Sequence, residues 1–189
     1  MTEATPIALQ MLPRLRCAIS TAVVEELIKL SPKATVPVLL YNNKVIDESL
    51  DIMLWAYAIS DESNHLIILS QHEREVTDNL ITVNDCEFKK QLDAYKYEPI
   101  ENILVRDDLF KKGLLFLESL EICLGNHKFL IGNRVSFADI AIFPFIRQFA
   151  HVDIDRLTNI KLIKTKKWFE LMGSDELFLR AMIRPEFTN

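Results

Sequence analysis

The sequence predicts a two-part chain: a small α/β unit over residues 1–59, a linker over residues 60–70 and an all-α unit over residues 71–189. Three observations carry this. Residues 35–40 and 44–46 are short β-prone runs on either side of Asn42-Asn43, a pair that tolerates the positive φ of a tight hairpin turn. Residues 60–70, SDESNHLIILS, begin polar. Beyond them apolar residues recur at helical spacing and no run reads as a strand.

In chain order, residues 7–12 predict a short strand ended by Pro13, and residues 14–30 a helix, with Leu15, Ile19, Val23, Leu27 and Leu30 on one stripe. Ser31-Pro32 stops it, because a residue before proline is pushed out of the α region. The strand at 35–40 contains Pro37, which has no N–H for a ladder. A proline there signals a bulge, an edge or a cis bond. Residues 47–59 predict a helix with Leu50, Met53, Leu54 and Tyr57 on one face. Further helices are expected at 71–95, 101–124, 136–149, 161–172 and 174–183. The one at 136 has a sharp start. Ser136 suits an N-cap, Asp139 stands at the N3 position of a capping box, and Val135 and Ile140 suit a hydrophobic staple. Its apolar residues Ile140, Ile142, Phe143, Phe145, Ile146 and Phe149 mark a core helix, with a kink expected at Pro144.

Composition narrows the function classes. Of 189 residues, 49% are apolar and 26% charged, the balance of a globular protein. The net charge of −5 and the lack of a basic stripe argue against nucleic acid as a partner. The run Lys161–Lys167 reads as a solvated helix face. No run approaches a membrane span, and the first ten residues lack the basic region of a signal peptide. Cys17, Cys86 and Cys123 are scattered and odd in number, which argues for a reducing, cytoplasmic setting. His65, His72, His127 and His151 show no metal-ligand spacing, so no metal is expected.

Taken together, Ser31-Pro-Lys-Ala-Thr-Val-Pro-Val-Leu39, Val45-Ile-Asp-Glu-Ser-Leu50, Phe129-Leu-Ile-Gly and Ser136-Phe-Ala-Asp-Ile-Ala-Ile-Phe-Pro-Phe145 resemble the glutathione transferase superfamily. The resemblance covers most of the chain from about residue 22. It implies a thioredoxin-like N-terminal domain, a helical-bundle C-terminal domain, glutathione as co-substrate between them, and a homodimer. By the same resemblance Pro37 matches the family's cis-proline and Val36 the residue whose backbone pairs with the cysteinyl part of glutathione. Glu48 and Ser49 match the acidic-Ser pair that holds the γ-glutamyl group. Elementary chemistry agrees. Helix N-termini favour carboxylates, Glu48 can take an ammonium, and an extended tripeptide can pair with a strand edge. Glu48 and Ser49 could also simply start a helix. Ser136 and Asp139 match the family's capping motif and belong to folding.

The resemblance breaks down at the N-terminus. No Cys-Pro, Ser or Tyr stands where the family's active residue follows its first strand, and only Pro13 separates Leu12 from Arg14. There is no room for two strands and two helices before Thr35. The N-terminal domain therefore reads as shortened by about 15–30 residues, with the first loop and one strand missing near Pro13–Arg14 and Ala22–Val23. Two functions remain open. One is an enzyme that adds glutathione to an electrophile or transfers its thiol to a disulfide, its catalytic residue unassigned. The other is a non-catalytic binding or interaction protein on the same fold. Cys17 reads as a small buried apolar residue, or as a thiolate favoured by Arg14 and Arg16. Cys86 and Cys123 read as core or partly exposed. Trp55 and Trp168 read as core anchors, or as residues that line a domain interface. Tyr95 and Tyr97 line a substrate cleft or close a helix end.

Overall fold

The computed structural model describes residues 27–33, 36–59 and 69–183. The chain divides into two compact units, residues 1–64 and 65–189. The predicted strand at 7–12, most of the helix at 14–30, the two proposed deletion points, Cys17, His65 and most of the linker lie outside the described residues. Residues 27–30 are helical, and Ser31 N donates to Leu27 O at 2.8 Å.

The first unit is built on an antiparallel hairpin, β1 (Leu39–Tyr41) and β2 (Lys44–Ile46). Leu39 pairs with Ile46, Leu40 with Val45 and Tyr41 with Lys44. Asn42 (φ 48°) and Asn43 (φ 62°) make the turn, as their tolerance of positive φ predicts. The ladder starts at Leu39, and residues 36–38 of the predicted strand stay outside it. Pro37 cannot donate, so regular pairing begins beyond it. The Val36–Pro37 peptide is cis. Helix α1 (Ser49–Ile59) follows, two residues later than expected. Asp47 and Glu48 precede it, and Glu48 O accepts from Ile52 N at 3.0 Å. No residue of α1 is fully buried, and Leu54 is exposed rather than facing inward. Trp55 is half-buried and meets Tyr41, ring centroids 4.9 Å apart. It is a local anchor and not a deep one.

The second unit is helical throughout its described residues: α2 (Gln71–Val83), a π turn (Asn84–Phe88), α3 (Lys89–Tyr97), α4 (Ile103–Leu124), α5 (Phe137–Val152), α6 (Ile154–Thr158), α7 (Ile163–Gly173) and α8 (Glu176–Ala181). The single helix expected at 71–95 is thus interrupted by a wider turn, which buries both Asn84 and Phe88. Periodicity could not reveal it, because one extra residue per turn leaves the apolar stripe nearly intact. Two caps were missed. Asp153 Oδ1 accepts from Arg156 N at 3.0 Å and starts α6. Asp175 Oδ1 accepts from Leu177 N and Phe178 N and delays α8 to Glu176.

The core gathers around α5. Ile142, Phe143, Ile146 and Phe149 are buried as predicted. Ile140 is not: it is 39% exposed, and Phe137, Ala138 and Ala141 take the inward positions. α5 continues through Pro144 to Val152. Phe149 stacks on Phe110 at 5.4 Å and meets Phe88 and Tyr95 at the same centroid distance. Gly113 makes this possible. A Cβ there would lie 2.4 Å from Phe149 Cε2.

The capping box of α5 is present on both sides and extends further than the sequence indicated. Asp139 is fully buried. Its Oδ2 accepts from Ser136 N at 2.8 Å and from the Ser136 hydroxyl at 2.5 Å. Its Oδ1 accepts from Leu130 N at 3.0 Å and from Trp168 Nε1 at 2.7 Å. Burial holds this carboxyl above the ordinary carboxylate range, and the four donors offset only part of that rise. A second carboxylate, Glu121 on α4, caps α7 from outside. It accepts from Lys164 N at 3.1 Å, Thr165 N at 2.7 Å and the Thr165 hydroxyl at 2.9 Å. The N-cap residue of α7, Leu162, has no side-chain cap of its own. Burial pushes Glu121 up, but the N–H groups of Thr165 and Lys164 outweigh it and hold the carboxyl below its ordinary range.

Asp139→Ala strands three N–H donors in the core. At about 1–3 kcal/mol for each unmet group, it is expected to cost at least about 3 kcal/mol in urea unfolding followed by tryptophan fluorescence. Ser136→Ala is expected to cost about 0.5–2 kcal/mol. Glu121 has a depressed folded pKa, so its contribution is complete above the unfolded carboxylate pKa and disappears as pH falls through the folded one. Glu121→Gln is therefore expected to lower stability at neutral pH by about 0.5–2 kcal/mol. It should also flatten the loss of stability between about pH 6 and about pH 3, measured by urea unfolding across that range.

Candidate functional site

The hairpin register brings two segments off the same end of the small sheet. Val36–Pro37 leads into β1, and Asp47–Glu48–Ser49 leaves β2, because Leu39 is paired with Ile46. The structure therefore gathers the four residues predicted from sequence, Val36, Pro37, Glu48 and Ser49, around one end of one hairpin. Val36 is 47% exposed and Pro37 half-buried, while Val38 turns into the unit and is buried. Ser49 is the first residue of α1. The first N–H groups of a helix have no acceptor within it, and the helix dipole makes that end favourable for negative charge.

Three further residues join this end that the site prediction omitted. The Ser31 hydroxyl donates to Asp47 Oδ2 at 2.8 Å. Lys33 Nζ lies 2.5 Å from Glu48 Oε1 and 3.6 Å from Asp47 Oδ1. The Ser31 hydroxyl, with Lys33 beside it, holds the Asp47 carboxyl below the usual carboxylate range. The hydrogen bond to Glu48 raises Lys33 above the ordinary lysine value. The signal available in the sequence was the adjacent acid pair Asp47-Glu48, which calls for a cation. Ser31 and Lys33 lie 16 and 15 residues away from their partners, and only the hairpin closes that distance.

Chemically this end offers an exposed strand approach, a serine at a helix start and a carboxylate with one cation on it. That set can bind a zwitterionic, peptide-like ligand. Among the described residues no group of three or more His, Cys, Asp or Glu side chains could hold a metal ion. Tyr95 is buried under Arg106 in the aromatic core, and burial pushes its hydroxyl up. It closes a helix end and does not line a cleft. Tyr97 is 74% exposed. Trp168 is a core anchor bonded to Asp139. Cys86 is exposed, and Cys123 is half-buried with its thiol pushed up by burial. The helical unit also holds an apolar cavity of about 220 Å³ against Leu117, Ile146, Leu157 and Phe169. The hydroxyls of Thr158 and Thr165 and the ammonium of Lys166, at its edge, are bonded within the unit. Among the described residues no helix is long and apolar enough to cross a membrane.

Comparison with known proteins fits this architecture. Residues 105–176 match the family model described as "Glutathione S-transferase, C-terminal domain". No protein of curated function matches the chain in sequence. Among solved structures, the chain is similar to a glutathione transferase family member from Pseudomonas fluorescens with two glutathione bound. That match has a TM-score of 0.72 and 18% identity, over 88% of this chain and 80% of the other. Glutathione transferase F7 from Populus trichocarpa gives 0.70 and 16%, over 86% and 83%. A glutathione S-transferase from Xylella fastidiosa gives 0.69 and 20%, over 84% and 79%. Identities this low establish the fold: an N-terminal part of thioredoxin type followed by an all-α unit. The chain thus shares the fold of solved glutathione transferases, and its residues 105–176 match that family's C-terminal domain.

Proposed function

We propose that the chain is a glutathione transferase-like protein that binds glutathione at the open end of its hairpin. Val36 supplies backbone pairing beside Pro37, Ser49 and the α1 N-terminus take the γ-glutamyl carboxylate, and Glu48 takes the γ-glutamyl ammonium. The observation that carries the reading is the adjacency of Glu48-Ser49, at a helix start, to the exposed approach at Val36-Pro37. One similar solved structure, from Pseudomonas fluorescens, has two glutathione bound, which supports glutathione as the ligand. The reaction would be conjugation to a small electrophile or thiol transfer to a disulfide. A homodimer of residues 1–59, 60–70 and 71–189 as domain, linker and helical domain, in the cytoplasm, completes the reading.

A second reading is favoured by the sequence ahead of residue 22, where no Cys-Pro pair occurs and Cys17 is followed by Ala18. Here the chain binds glutathione without activating its sulfur, which needs a donor that stabilises the thiolate. Turnover of glutathione with an aryl halide or a mixed disulfide separates the two readings.

Calorimetric titration with glutathione tests the site. Wild type is expected to bind, and Ser49→Ala to bind about 10- to 100-fold more weakly, the range for one hydrogen bond to a charged group. A wild type that does not bind overturns the glutathione reading. Binding that the substitution leaves unchanged overturns the site assignment.

A further inference from the structure

Glu48 is the group that would receive a ligand's ammonium, yet in the structure an ammonium is already on it. Lys33 Nζ stands 2.5 Å from Glu48 Oε1. The same Nζ is 3.6 Å from Asp47 Oδ1. The two carboxylates are unequal. Asp47 already accepts the Ser31 hydroxyl at 2.8 Å and is 28% exposed, whereas the Glu48 and Lys33 side chains are 59% and 54% exposed. Glu48 therefore owes its partner to a long, solvated side chain, and Lys33 has a second carboxylate within reach of a small rotation.

We infer that Lys33 is a specificity-determining residue of this site: its ammonium is an internal competitor for Glu48, and a ligand with an α-ammonium binds by moving Lys33 across to Asp47. The inference rests on the reading of Val36, Pro37, Glu48 and Ser49 as a glutathione site. It adds a consequence which that reading does not contain. A zwitterionic α-amino acid end, such as a γ-glutamyl group, can displace Lys33, because its ammonium replaces the one that leaves. A ligand with the same carboxylate but no ammonium leaves Lys33 on Glu48. For that ligand Lys33 is useful, since it neutralises the carboxylate that would otherwise face the ligand's own. Lys33 thus opposes one ligand class and assists the other. Asp47, held in place by Ser31, is the position to which Lys33 withdraws.

The test is calorimetry on the full chain with glutathione and with its analogue lacking the α-amino group, glutaryl-cysteinyl-glycine. Lys33→Met keeps the aliphatic stem and removes the charge, and Lys33→Gln serves as a second variant should methionine perturb the loop. Exposed ion pairs are weak, so the expected gain for glutathione is about two- to five-fold tighter binding in either variant. The analogue is expected to bind more weakly to the variants than to wild type. Asp47→Asn removes the fallback position and is expected to weaken glutathione by a similar factor. If wild type and both variants bind glutathione equally, or the variants bind it more weakly, the inference about Lys33 is overturned while the site reading stands. If neither wild type nor variant binds, the site reading fails and the inference fails with it.

Discussion

A carboxylate sealed in the helical unit sets the geometry of the whole C-terminal half. Asp139 is fully buried, and each of its oxygens accepts two donors, from Ser136, Leu130 and Trp168. A buried charge is costly unless its hydrogen-bonding capacity is filled. Here the filling comes from three separate places in the chain: the N-terminus of α5, the loop before it and α7. One side chain therefore fixes where α5 begins, how the 129–132 loop folds back through the Phe129–Gly132 bridge, and where Trp168 lies. The last of these orders α7, because Trp168 is itself fully buried and meets Phe143 edge-on at 5.9 Å.

Around that node the packing is aromatic and tight. Phe88, Tyr95, Phe110, Phe116 and Phe149 form one cluster in which offset and edge contacts add to simple burial. Gly113 admits Phe149 against α4 at a point where any larger residue would clash. A glycine inside a helix costs roughly 0.5–1 kcal/mol relative to alanine, and the ring stacked over it more than offsets this. Arg156 closes the edge of the cluster, lying 4.0 Å over the Phe110 ring and paired with Asp107. Charge at the rim and apolar contact within are thus joined by one side chain.

The N-terminal unit follows a different logic. Its described part buries little, and α1 has no fully buried residue. What it does have is a dense set of polar groups on a short register: Ser31, Lys33, Asp47, Glu48 and Ser49 at one end of a hairpin with three paired residues per strand. Exposed pairs of this kind contribute little to stability. In the proposed function their role is to present charges of fixed sign beside a strand edge.

Much of this was legible in the residues themselves. The Asn42-Asn43 turn, the two-part organisation of strands then helices, and the Ser136–Asp139 box all follow from local φ preferences, periodicity and capping chemistry, which act over a few residues. So did Val36, Pro37, Glu48 and Ser49 as a group, because a hairpin with a two-residue turn has only one register that pairs its β-prone runs. The start of β1 after Pro37 and the late start of α1 needed the backbone, since proline's missing donor and the side-chain bonds of Asp47 compete with regular structure. The π turn at Asn84–Phe88, the capping of α7 by Glu121 some 43 residues earlier, the second pair of donors on Asp139 and the seat of Lys33 on Glu48 were decided by tertiary structure alone. Each depends on a polar group finding its partner across the fold, and a sequence pattern carries the donor and the acceptor but not the distance between them.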